Sequence, residues 1–344
     1  MSMTMKDVAH RAGVSITTVS HVINKTRFVS DELCQRVQAV MDELNYRPNN
    51  LARSLRVGET KSIGLIVPDN SNPFFAEVSR TVEDIGFEKG YGVFLCNSDD
   101  IIEKEAAYVS MLIAKQVDGV IFIATGNTQE HLLDLMQCNI PVVVVDRDLP
   151  HTLVDVVLVN NEQGGHDATQ YLLDLGHRDI GCIAGPSRLT PSAARVSGYR
   201  RALEAAGIPV REDLVVSGDF RPRSGETAVA SLLKLDQPPT AVFACNDLMA
   251  IGALRGLRNH GLKAPQDISV VGFDDIPLAA EVSPALTTIA QPIVELATCA
   301  TDLLISRIQH NRVGEDTQCR VLDTKLIVRH SCAPYQMKGE HPSG

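Results

Sequence analysis

Before Asn45, apolar residues recur at helical spacing in three short runs, and the breaks between the runs are chemically marked. Lys6 to Ala12 carries Val8, Ala9 and Ala12 on one face, and Gly13 supplies the positive φ that a helix C-terminus and a tight turn require. Ser15 is placed to cap a second helix in which Val19, Val22 and Ile23 point inward at i, i+3 and i+4. Ser30 opens a third helix, with Asp31 and Glu32 complementing its dipole and Leu33, Val37, Val40, Met41 and Leu44 along one stripe. Three short helices closing one small core around a tight turn make a helix-turn-helix, and so small a module has few other ways to bury its apolar residues.

The outward face of the second helix carries Ile16, Thr17, Ser20, His21 and Asn24, and Thr18 lies beside them. These are short neutral donors, acceptors and methyl groups, suited to base edges in a DNA major groove. Lys25 and Arg27 follow, where a cation can meet guanine or phosphate. An ordinary three-helix cap could also expose such residues. The charge distribution is compatible with a reading head: the formal charge is −10 overall, yet residues 1–60 hold eight Lys or Arg against six Asp or Glu, giving +2 and leaving −12 on the rest. An acidic body is repelled from a duplex, although −12 over so long a chain is also an ordinary solubility charge.

Tyr46 to Gly58 links this module to the remainder of the chain. Pro48 disfavours helix at Arg47, and Asn50 to Arg56 has helical propensity but too little length to be stable alone. From Lys61 the chain alternates short β-rich runs (63–67, 92–96, 117–124, 142–146, 156–159, 180–184, 241–244 and 268–272) with helical stretches that include 76–89, 104–115, 165–175, 192–206 and 248–260. Near-continuous apolar strands separated by helices argue for a parallel sheet covered on both faces. Neither G-x-G-x-x-G nor G-K-[ST] occurs, so nucleotide binding by those loops has no support.

Composition narrows the remaining classes. The 344 residues are 44% hydrophobic and 22% charged, a globular balance with room for a small module and two larger cores. No apolar run reaches the ~18 residues that span a bilayer, and no apolar export signal opens the chain, so a cytoplasmic protein with no membrane partner is expected. The eight cysteines form no C-x-x-C pair and the ten histidines no H-x-x-x-H, which points to reduced thiols, no metal site and no cofactor. No nucleophile-and-base spacing is present, so no catalytic residue is assigned and no enzyme is expected.

The ends of the expected strands gather groups fit for a small polyol, for which amides and charges pair with hydroxyls and aromatic faces cover C–H surfaces. Asn72, Phe74 and Phe75 follow the first strand, Asp146 and Arg147 the fourth, Asn246 and Asp247 the strand at 241, and Asp274 the strand at 268. Phe220, Gln291 and Arg195 join them. Each has an innocent alternative: Asn72 and Asp247 as helix caps, the phenylalanines as core, Arg147 as a surface ion pair.

The run MKDVAHRAGVSITTVSHVINKTRFVS, the segment ELNYRPNNLARSL and the α/β core after them resemble the LacI/GalR family of bacterial repressors. That resemblance implies an N-terminal all-α helix-turn-helix headpiece over residues 1–48, a hinge helix and linker over 49–60, and an effector-binding and dimerisation core over 61–332. The core would have the α/β type I periplasmic-binding-protein architecture of two Rossmann-like lobes, the first about 61–160 plus 291–320, the second about 161–290 plus 321–332; the tail over 333–344 is polar and is expected to be disordered. The resemblance implies a homodimer on pseudo-palindromic operator DNA, with Ile16, Thr17, Thr18, His21, Asn24 and Arg27 in the major groove and Leu55 and Arg56 in the central minor groove. The same resemblance extends to sugar-binding proteins, whose ribose-contacting pattern matches Asn72, Phe74, Phe75, Asp146, Arg147, Arg195, Phe220, Asn246, Asp274 and Gln291. It implies a small sugar effector, ribose first. The alternatives are a purine-responsive member of the family, which would carry an arginine and a threonine where this chain has Leu189 and Pro191, or a sugar-binding protein with no regulatory role.

Overall fold

The computed structural model describes residues 3–24, 27–47, 59–124, 129–147, 154–310, 312–314 and 316–336. Its contacts divide the chain into two compact units, Met1–Thr60 and Lys61–Gly344.

The first unit contains α1 (Met5–Ala12), α2 (Ile16–Asn24) and α3 (Asp31–Glu43). Thr4 starts α1 through a reciprocal capping box with Asp7, a signal the sequence reading missed when it began the helix at Lys6. Gly13 ends α1 at φ +66, and the Ser15 hydroxyl accepts the Thr18 N–H at 3.0 Å to begin α2. Val8, Ala9, Ala12, Val19, Val37, Val40 and Met41 form the core of this unit, with Val22, Ile23 and Leu44 packed around it. Ser30 stands at the start of α3 without a side-chain cap bond, so Asp31 and Glu32 alone favour that end. Arg11 ties α1 to α3 through Glu43 at 2.6 Å.

The second unit is built on two six-stranded sheets. The first runs β11-β5-β4-β3-β1-β2, from β1 (Ser62–Val67), β2 (Gly92–Asn97), β3 (Gly119–Phe122), β4 (Val142–Val145), β5 (Asp155–Val159) and β11 (Cys319–Leu322). On one face Ile63, Leu65, Ile121, Val143 and Val157 pack against α4 (Pro73–Glu88) and the long α12 (Ile293–His310). On the other, Ile66, Val120, Phe122 and Val144 pack with residues of α5 (Ile102–Ala114) and α6 (Gln129–Gln137). The strands thus read as unbroken apolar runs because both faces are covered. Edge strand β2 departs from the expectation, for Phe94 and Leu95 are exposed. Asp155 is buried at the start of β5 and bonded by Arg307 at 2.7 and 2.8 Å.

The second sheet runs β12-β10-β9-β8-β6-β7, from β6 (Ile180–Ala184), β7 (Val215–Ser217), β8 (Ala241–Ala244), β9 (Ser269–Asp274), β10 (Thr287–Ala290) and β12 (Lys325–Ile327). Its helices are α7 (Asn161–Asp174), α8 (Thr190–Ala205), α9 (Pro222–Leu232), α10 (Asp247–Asn259) and the short α11 (Pro277–Glu281). β12 is antiparallel to β10, which corrects the all-parallel expectation. The chain passes from β11 in the first sheet directly to β12 at the edge of the second through Asp323 and Thr324 alone. β11 pairs with β5, so Val321 and Leu322 belong to the first lobe, not the second as expected. The tail also departs from expectation at its start: the Ala333 carbonyl faces His177 Nε2 at 3.1 Å, and the Tyr335 N–H donates to the Leu175 carbonyl at 2.8 Å. Residues 337–344 lie outside those described.

Candidate functional site

A narrow cavity, about 360 Å³ with its open mouth included, lies between the two lobes, lined by both aromatic and polar side chains. Every effector candidate named from the sequence except Asp247 lines it, and Leu189 and Pro191 complete the wall. From the first lobe come Asn72, Phe74 and Phe75 at the start of α4, with Asp146 and Arg147 just beyond β4. The second lobe contributes Arg195 from α8, Phe220 before α9, Asn246 after β8 and Asp274 at the end of β9, while Gln291 follows β10. Parallel strands ending side by side bring these residues together from distant parts of the chain.

The innocent readings sort residue by residue. Asn72 does cap α4, accepting the Phe74 N–H at 3.1 Å, and still faces the cavity. Phe74 and Phe75 are buried edge to face, ring centres 5.0 Å apart, so they serve both core and wall. Arg147 is no surface pair: it is 5% exposed, bonded to the Ala124 carbonyl and 3.3 Å from Asp100. Asn246 spends its Oδ1 on the Met249 N–H and its Nδ2 on the Phe220 carbonyl, which fixes the turn that holds Phe220 in the cavity. The neighbouring Asp247 is structural, accepting from Ile276 N–H at 2.9 Å and Thr288 Oγ1 at 2.5 Å.

Arg195 is held from beneath on several sides. Its Nε donates to Asn161 Oδ1 at 2.8 Å, one terminal nitrogen donates to the Cys245 carbonyl at 2.6 Å, and the guanidinium lies 3.8 Å from the centre of the Phe273 ring. The same nitrogen is 3.4 Å from Asp274 Oδ1, which also accepts Gln291 Nε2 at 2.7 Å. Asn161, Asp100 and Phe273 are supports the sequence reading did not assign, because nothing local marks a residue that acts by holding another in place.

Burial raises the Asp146 and Asp274 carboxyls above their ordinary range; the arginines oppose this, and Asp274 is pushed up to about 7. Burial and then the nearby Asp274 push Asp247 up as well. Asp146 Oδ1 and Gln291 Oε1 are buried without a hydrogen-bond partner among the described residues. Such orphaned acceptors are costly unless something donates to them, so the cavity is matched to a ligand rich in donors. Asp146, Phe220 and Asp274 also sit at φ +67, +65 and +117, a strain that collects where side chains are aimed for function. Gly185 lies under the Phe220 ring, and any Cβ there would overlap it.

In the first unit, Ile16, Thr17 and Arg27 are exposed on and after α2, whereas Thr18, His21 and Asn24 are half-buried. Thr18 Oγ1 lies 2.9 Å from Ser15 Oγ, and Asn24 Nδ2 donates to the Ser20 carbonyl at 2.8 Å, so part of the expected reading face is engaged within its own helix. Leu55 and Arg56 lie outside the described residues.

Two family models match the chain: bacterial regulatory proteins of the lacI family over residues 4–49, and periplasmic binding proteins and sugar binding domain of LacI family over 60–324. The chain belongs to the LacI family. A relative in this family from Proteus mirabilis, named HTH-type transcriptional repressor PurR, is 45% identical over 333 residues, covering 96% of this chain and 97% of that one. Among solved structures, the lac repressor dimer bound to operator and the anti-inducer ONPF is similar at a TM-score of 0.86 and 28% identity, covering 97% of this chain and all of that one. A LacI family regulator from Enterococcus faecium with bound ribose reaches 0.74 at 33% identity, over 80% of this chain and 100% of that one. This LacI family chain is therefore a DNA-binding transcriptional repressor with an effector-binding core, and not an enzyme. Among the described residues no helix is long and apolar enough to cross a membrane.

Proposed function

We propose that this repressor is a cytoplasmic homodimer whose grip on a pseudo-palindromic operator is set by a small polyhydroxylated sugar of the ribose type held between its lobes. The observation that carries the reading is the pair of orphaned acceptors, Asp146 Oδ1 and Gln291 Oε1, in a cavity walled by Phe74, Phe75 and Phe220. Adjacent hydroxyls supply donors to such acceptors, and aromatic rings cover the C–H face between them. The ribose-bound Enterococcus regulator supports the choice of sugar by kinship. Phe87, Phe94, Leu95, Ile101 and Ile102, exposed at the end of α4, along β2 and at the start of α5, offer apolar groups to a second copy.

A purine base is the second reading, favoured by the 45% identity to the relative named PurR. Against it stand Leu189 and Pro191, apolar groups that leave purine edges without partners at a cost of ~1–3 kcal/mol each. Calorimetric titration of the full chain with ribose, other pentoses, hypoxanthine and guanine separates the two. Ribose should bind, and Arg195→Ala should weaken it about 100-fold by removing the charge between Asp146 and Asp274. Binding of a purine base with no response to any pentose would overturn the sugar reading.

A further inference from the structure

A second and larger opening, about 620 Å³, adjoins the first cavity on the side where the chain crosses between lobes. The two share Asp146 and Pro191, so Asp146, whose Oδ1 lacks a partner among the described residues, faces both spaces. The walls of the second space are chemically distinct from those of the first. Leu158, Val159, Pro191 and Val321 give it apolar sides, Ala194 lies on the α8 wall, and Asn160, Asn161, Thr190 and Glu162 add polar groups that can meet the edge of a ring. No lysine or arginine lines it among the described residues; Arg201 pairs with Glu162 at 2.8 Å but is not part of the wall.

This lining selects by charge and shape. A phosphate placed there would face Asp146 and Glu162 without a cation in the wall, whereas a flat neutral ring gains apolar contact on its faces and can donate from its edge to a carboxylate. We infer that the effector is a two-part molecule, a neutral nucleoside with its pentose in the first cavity and its heterocycle in the second. The inference rests on the sugar reading of the first cavity and extends it. It also explains how ribose-contacting residues can occur in a chain whose relative bears the name PurR.

The test is titration of the full-length repressor with ribose, inosine, adenosine, inosine 5′-monophosphate and hypoxanthine, repeated on Ala194→Leu, which narrows the second space, and on Ala194→Ser, which does not. A nucleoside should bind at least about tenfold more tightly than ribose, and the monophosphate more weakly than its nucleoside. Ala194→Leu should remove most of the nucleoside advantage while ribose changes by less than about twofold, and Ala194→Ser should leave both near wild type. Ribose binding with nucleosides weaker, or a nucleoside advantage untouched by Ala194→Leu, would overturn the second cavity as a base site and leave it a solvent-filled mouth. Hypoxanthine bound with ribose and nucleosides both ignored would overturn this inference together with the sugar reading.

Discussion

Asp274 must carry a charge, when it carries one, in a buried place shared with Asp146 and Asp247 and faced by Arg195 and Gln291. In the folded chain its carboxyl titrates at about 7, against an ordinary value of 3.8. Folding therefore retains a proton in that window, and the contribution of this group to stability falls as pH rises from 3.8 to about 7, then levels off. An effector hydroxyl that donates to the carboxylate favours the ionised form, so binding should release a proton and tighten by about tenfold between pH 6 and pH 8. Calorimetry in two buffers of different ionisation enthalpy reads the proton directly; flat affinity with no proton exchange would contradict the assignment. Most members of this cavity stood out in the sequence because Asn, Asp, Arg and Phe gather at strand ends, whereas Arg195, inside α8, joined them through the family resemblance. Their bonding was not legible in the sequence. That Asn246 spends both ends of its amide on Met249 and Phe220, or that Asn161 and Phe273 hold Arg195, depends on contacts between segments far apart in the chain.

Helix α2 is short and its first turn is capped where the Ser15 hydroxyl accepts the Thr18 N–H. Ser15→Ala should cost ~1 kcal/mol locally, and amide exchange across residues 16–24 of the full chain should quicken about fivefold, with operator binding weakened in step. Unchanged exchange would mean that packing of Val19 against α1 and α3 alone sets the helix. Elements with a strong period were readable from sequence: β6 and β8 keep the expected limits, and α8 and α10 differ by a residue or two. The strands not named from the sequence are short, and the long helix α12 was not named either. Val215–Ser217 makes a three-residue strand, and Cys319–Leu322 and Lys325–Ile327 pair only because the lobes offer β5 and β10 as edges. Helix α9 begins at Pro222 beside the turn that aims Phe220, so its start is tied to the site rather than to its own periodicity.

For the repressor as a whole, the claim is that occupancy of one cavity decides the hold of a headpiece on DNA, which requires the effector to favour one of two states of the protein. The charge pattern fits contact through the headpiece, with +2 on residues 1–60 and −12 on the remainder. The link between them, including Leu55, lies outside the described residues, and the family resemblance alone assigns it the minor groove. Leu55→Ala should weaken operator binding by at least about tenfold while effector affinity stays unchanged; equal loss of both would remove the hinge assignment. The most direct measurement is equilibrium binding of the full-length protein to a palindromic duplex selected from a random pool, at low ionic strength, with and without saturating effector. The account predicts sequence-specific binding whose affinity differs at least about tenfold between the two conditions. Specific binding that is identical with the cavity filled or empty, or no specific binding at all, would contradict it.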